Sequence, residues 1–214
     1  MRNLLIALLI GFGSATSANA AVSVNIGINL PTYPRLVPVP GYPVYYAPGV
    51  NSNYFFYDGL YWVFDGENWY DSRWYNGPWN VVDPFYVPSY VLRVPVRYYR
   101  HAPAYFHGWR ADAPPRWNER WGRDWESRRG DWNRGPRGTA QRAPLPDYQR
   151  RYSGDRYPRA EQQQQQVHNQ NYRYQPRDEA VRQRNQEQGR GGDQHQGRGE
   201  GRDSRGEGRG GRER

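Results

Sequence analysis

The chain has 214 residues, a net charge of +9, no cysteine and no lysine. Without cysteine there is no disulfide framework, thiolate metal site, thiol nucleophile or lipid-modified N-terminal cysteine. The positive balance is all arginine, whose planar guanidinium stacks on rings and grips phosphate or carboxylate in two places; GC-rich codon usage is the other source of such a bias.

Residues 1–20 read as a secretory signal peptide. Arg2 is followed by an apolar run from Leu4 to Phe12 that is too short to span a bilayer, and Ala18-Asn19-Ala20 is a small-x-small cleavage site. Cleavage near Ala20 gives a mature chain starting at Ala21, exported to the periplasm or cell surface. An uncleaved anchor is the alternative, for which the run lacks length and flanks. No second apolar stretch of membrane-spanning length follows, so the mature chain is soluble or touches a membrane peripherally.

Residues 21–110 read as a small, mainly antiparallel β domain with Pro-rich arms. Val22, Val24, Ile26, Ile28 and Leu30 alternate with polar or glycine positions, which predicts a half-buried strand. Prolines from Pro31 to Pro48 then predict an extended wrap over 31–49. A similar arm, Val94-Pro95-Val96-Arg97-Tyr98-Tyr99, comes after the aromatic segment, and the two arms are candidates to pair with each other. Between Tyr54 and Trp79 lie 12 aromatic residues in 26 positions, punctuated by Asp58-Gly59, Asp65-Gly66 and Asn76-Gly77. Those dipeptides turn tight hairpins, so the segment predicts a β-meander with central strands over 60–64 and 67–71. Leu60, Trp62 and Phe64 then share one face and Tyr61 and Val63 the other. Both faces are apolar, so the sheet is either covered on both sides or has one side awaiting a partner. The aromatic area is either the core of a small domain or partly exposed. On the second reading Tyr61, Trp69, Trp74 and Trp79 are the candidate ligand-binding rings, stacking on envelope glycan.

Trp74-Tyr75-Asn76-Gly77-Pro78-Trp79 fits a W-x-x-G-x-W pattern, and Phe56-Tyr57-Asp58-Gly59-Leu60-Tyr61 is a relaxed copy. In this the chain resembles uncharacterised exported proteobacterial proteins with aromatic-glycine repeats, and the run from Val37 to Trp132 looks like other exported proteins of such bacteria. The resemblance implies an envelope location and assigns neither an activity nor a catalytic residue.

Residues 111–134 form a Trp/Arg-rich region. Trp117, Trp121 and Trp125 recur every fourth residue behind Pro115, predicting an amphipathic helix that Gly122 weakens and Gly130 ends. With Arg120, Arg123 and Arg128 the Trp edge is a candidate interface for lipid or anionic polymer; the alternative is that it docks on its own domain. Residues 135–214 read as a disordered Arg/Gly/Gln-rich tail, with five consecutive glutamines at 162–166 and Arg-Gly-Gly at Arg190 and Arg209. From His101 on, 24 arginines face 16 acids. Export directs this charge toward envelope polyanions, not intracellular nucleic acid.

No catalytic constellation is present in the sequence, and no cofactor or metal site is expected. His101 and His107 could meet near Asp112, but loop packing accounts for them. Asp58, Asp65 and Asp71 each precede Gly or Ser and read as turn residues, not as a glycosidase carboxylate pair. The sequence thus points to a non-catalytic envelope protein that binds glycan or polyanion. The alternative is a structural or assembly module engaging another envelope protein.

Overall fold

The computed structural model describes residues 23–134, 144–152, Arg156, Pro158 and 161–193. Residues 1–20, read above as a signal peptide, and residues 194–214, including Arg209, lie outside the described residues. Seven strands form one antiparallel sheet: Ser23–Val24 (β1), Val37–Pro38 (β2), Tyr45–Tyr46 (β3), Asn53–Tyr57 (β4), Leu60–Asp65 (β5), Asn68–Ser72 (β6) and Trp79–Val82 (β7). Their spatial order is β1-β7-β6-β5-β4-β3-β2. The two edge strands are only two residues long, and one carries Pro38, so neither edge offers a long ladder to another chain.

The turn chemistry explains the centre of the meander. Asp58 and Gly59 connect β4 to β5 with φ of 48° and 78°, both in the left-handed region that a two-residue type I′ hairpin requires. The next hairpin turns on Gly66 and Glu67, one residue later than the Asp65-Gly66 dipeptide suggests, because Asp65 pairs with Asn68. The third connection is not a tight turn. Residues 73–78 form a longer loop in which Asn76 Nδ2 donates to the Leu30 carbonyl at 2.7 Å while its Oδ1 accepts from the Leu30 amide at 2.8 Å. The Trp74 to Trp79 motif therefore fastens the N-terminal arm.

Along that arm the side chains alternate in burial from Ser23 to Leu30, as the pattern predicts, but only Ser23 and Val24 join the ladder. The Asn25 side chain accepts from the Gly27 amide at 2.9 Å and bends the chain away. The wrap predicted over 31–49 is instead a hairpin, β2 paired with β3, closed by the Val39 amide on the Val44 carbonyl at 2.8 Å. The two Pro-rich arms do not pair with each other. Val96 and Arg97 donate to the carbonyls of Ala113 and Ala111, and the two arms come together in the first core and at the Tyr46 and Tyr98 rings, 4.9 Å apart.

Both sheet faces are covered. The alternation along β5 holds: Leu60, Trp62 and Phe64 enter one core, and Tyr61 and Val63 the other. The first core is capped by the chain from Val87 through Trp132, including a one-turn helix Ser89–Leu92 (α1) and the helix Trp117–Arg128 (α2). Gly122 does more than weaken α2: at φ 79° it is non-helical and kinks it. The helix ends at Arg128, just before Gly130. The second core is capped by the N-terminal arm and by Val167.

Part of the stretch read as a disordered tail is helical: Asp147–Arg151 (α3), Glu161–Tyr172 (α4) and Glu179–Asp193 (α5). Its few apolar residues make the difference. Val167 reaches the second core and Val181 the first, so α4 and α5 return to opposite faces of the sheet. Among the described residues no helix is long and apolar enough to cross a membrane.

Candidate functional site

The expected aromatic platform is corrected by the packing. Tyr61 and Trp79 are buried in the second core and Trp69 in the first, so these three rings offer no face to a ligand. A sheet covered on both sides takes rings of either parity into its interior. Trp74 alone of the four is half-buried, and its ring meets His168 of α4 at 4.7 Å. The Trp edge of α2 also faces inward. Trp117 and Trp125 are buried, Trp121 is half-buried and stacks on Trp117 at 4.5 Å, and Trp117 Nε1 donates to the Leu92 carbonyl at 2.8 Å. These indoles pack onto their own domain. Of the arginines beside them, Arg120 pairs with Glu67 and lies over the Tyr105 ring, Arg128 lies over Phe85 at 3.8 Å, and Arg123 is exposed.

Among the described residues no three His, Asp or Glu side chains gather as metal ligands. His101 instead contacts Asn51 Oδ1 at 2.8 Å, and Asp112 pairs with Arg110 at 2.9 Å.

What the fold does build is a cavity of about 340 Å³ between the sheet and α5. That volume lies at the small end of the range of ligand pockets. The sheet supplies Leu60, Asp71, Asn80 and Val81, and the loop before β7 supplies Arg73 and Pro78. The opposite wall comes from the tail: Pro176, Val181, Arg184, Asn185 and Gln188. Asp71 is not a turn residue. It sits within β6, almost wholly buried, paired with Arg184 Nη2 and hydrogen-bonded by Asn80 Nδ2 at 3.2 Å. The other two nitrogens of Arg184, Nε and Nη1, are buried and have no acceptor among the described residues. With two guanidiniums and one carboxylate, the lining carries a net positive charge.

A clasp holds the tail wall in place. Asp58, a turn residue as expected, also directs its carboxylate at the tail: Oδ1 accepts from the Tyr174 hydroxyl at 2.7 Å, and Oδ2 accepts from the Asp178 amide at 2.7 Å and from the Arg177 amide. Arg73 Nη1 donates to the Tyr174 carbonyl at 2.8 Å. Asp178 caps α5 by accepting from the Ala180 amide at 3.0 Å and receives the Tyr57 hydroxyl at 3.2 Å. Burial and the neighbouring Asp58 charge push the Asp178 carboxyl above its ordinary range, against the pull of those hydrogen bonds. Burial, then the hydrogen bond to Asp58 and its charge, push the Tyr174 phenol up to about 12.

Sequence reasoning missed Asp71, Arg73 and Arg184 as a group. One signal was present: Pro176-Arg177-Asp178-Glu179-Ala180-Val181 has a capping Asp just before an apolar doublet, a helix start inside an otherwise polar tail. The chain matches no family model, no curated protein and no solved structure.

Proposed function

We propose that this is a non-catalytic exported protein of the cell envelope that binds an anionic envelope polymer, seated at the arginine-lined cavity between β6, β7 and α5. The observation that supports this most is Arg184. One of its nitrogens is committed to Asp71, while Nε and Nη1 are buried donors without acceptors among the described residues, a condition that a carboxylate or phosphate oxygen would relieve. Arg73 adds charge on the facing wall, and Asn80, Asn185 and Gln188 add amides suited to sugar hydroxyls. Leu60, Val81 and Pro176 add an apolar strip. Export rests on the signal-like residues 1–20.

The test is calorimetric titration with polygalacturonate as a carboxylated polymer, lipopolysaccharide as a phosphorylated one and dextran as a neutral control. Gln188→Glu puts a carboxylate at an exposed position of the cavity wall without touching the core. It is expected to weaken binding of the charged polymers several-fold and to leave dextran unbound throughout. Equal binding of all three polymers, or no response to the substitution, refutes the assignment. A structural module engaging another envelope protein is the second reading, favoured by Val81: at 54% exposure it is the large apolar side chain left open among the described residues.

A further inference from the structure

The cavity is made by two parts of the chain far apart in sequence, and this has a consequence for how it works. Its sheet wall belongs to the aromatic domain, and its other wall, with Arg184, Asn185 and Gln188, belongs to the segment that follows Tyr174. Resting on the anion-binding reading above, we infer that the site is composite, completed only when residues 174–188 dock, and that Asp58 is the positioning residue that docks them.

Three observations converge on Asp58. It accepts from three donors of the tail, all between Tyr174 and Asp178, and so fixes the approach to α5 just before its first turn. It lies at the β4–β5 turn, outside the cavity lining, so it acts on the site only through the segment it holds. The neighbouring turn position is shaped for the same contact: a Cβ on Gly59 would come within 2.1 Å of the Tyr174 ring. Beyond Asp58, the segment is tied by Val181 in the first core, by Arg73 to the Tyr174 carbonyl, by the Tyr57 hydroxyl to Asp178, by the Tyr86 hydroxyl to Glu187 and by Arg184 to Asp71.

A ligand that touches both walls binds the docked form alone. Its apparent affinity is then the intrinsic affinity scaled by the docked fraction, and by the same linkage the ligand tightens docking. Loss of the Asp58 carboxylate therefore weakens binding at a site that Asp58 does not touch. Asp58→Gly removes all three acceptors, yet glycine accepts the φ of 48° at this turn. Asp58→Asn keeps an oxygen for the two backbone amides and an amide that can donate to the Tyr174 hydroxyl.

The experiment is hydrogen exchange and titration of the full mature chain with polygalacturonate, for wild type, Asp58→Gly, Asp58→Asn and Tyr174→Phe. In wild type the polymer is expected to slow exchange of amides 174–188. Asp58→Gly is expected to speed that exchange and raise the apparent dissociation constant about tenfold, with the amides of residues 54–72 unchanged. Asp58→Asn restores binding to within about threefold, and Tyr174→Phe, which leaves the turn untouched, falls between. Equal affinity and equal exchange in wild type and Asp58→Gly overturn the positioning role while the anion site stands. If wild type binds no polymer but Asp58→Gly still frees 174–188, the ligand assignment falls and the composite site with it, leaving the clasp as a purely structural contact.

Discussion

Replacing Trp117 by alanine separates a core tryptophan from an interfacial one. Its indole lies within 5.9 Å of the rings of Phe64, Trp69, Phe106 and Trp121, and its Nε1 satisfies the carbonyl of Leu92. Truncating a buried Trp costs about 3–5 kcal/mol. Stripping a donor from the buried Leu92 carbonyl adds about 1–2 kcal/mol, for a total of about 4–7 kcal/mol. That is a large share of the 5–15 kcal/mol that holds an ordinary domain together. At roughly 4 °C per kcal/mol for a domain of this size, the thermal midpoint falls by about 15–30 °C. Differential scanning calorimetry reads this directly. Arg123→Ala, on the exposed side of the same helix, is the control and shifts stability by no more than about 0.5 kcal/mol. Equal midpoints for Trp117→Ala and Arg123→Ala would refute the inward-facing Trp seam and return α2 to a surface role.

Three further outcomes follow from particular contacts. Gly59→Ala and Gly66→Ala both strain a left-handed position, by about 1–2 kcal/mol each. Only Gly59→Ala meets the Tyr174 ring, so only it speeds hydrogen exchange at 174–188. Raising the pH releases the same segment. The docked Tyr174 phenol titrates at about 12 against 10 when free, so its contribution is complete below pH 10 and is lost as the pH rises toward 12; its charged neighbours are Asp58, which raises the value, and Arg177, which lowers it, the guanidinium staying protonated across this window. Comparing exchange at 174–188 between wild type and Tyr174→Phe isolates that step, and its persistence in the variant would contradict the assignment. Asn76→Ala removes both hydrogen bonds to Leu30, costs about 1–3 kcal/mol and is read by faster exchange of the arm around Leu30.

The centre of the fold is legible in the sequence because its rules are local. Period-two alternation along β5 assigns Leu60, Trp62 and Phe64 to one face, and the Asp58-Gly59 dipeptide sets the turn before it. A Trp at every fourth residue from Trp117 to Trp125 marks α2. What covers each face is a tertiary fact that local pattern does not carry, and it decides that Tyr61, Trp69 and Trp79 are core instead of platform. The cavity is less legible still. Asp71 next to Ser72 reads as a turn because its partner, Arg184, is 113 positions away in sequence whose composition hides it. A tail poor in apolar residues reads as disordered on average, whereas its packing depends on individual side chains such as Val167 and Val181.

The second sheet face also sets an order of events. It is closed by the N-terminal arm through Ile26, Ile28 and Leu30, and by Tyr152 and Val167 from beyond the aromatic domain. A chain emerges from the ribosome N-terminus first, so the strands and their first arm exist well before the residues that finish the lid over Tyr54, Phe56 and Tyr61. In that interval the rings lack part of their cover, and the nascent protein presents a sticky surface that the finished one conceals.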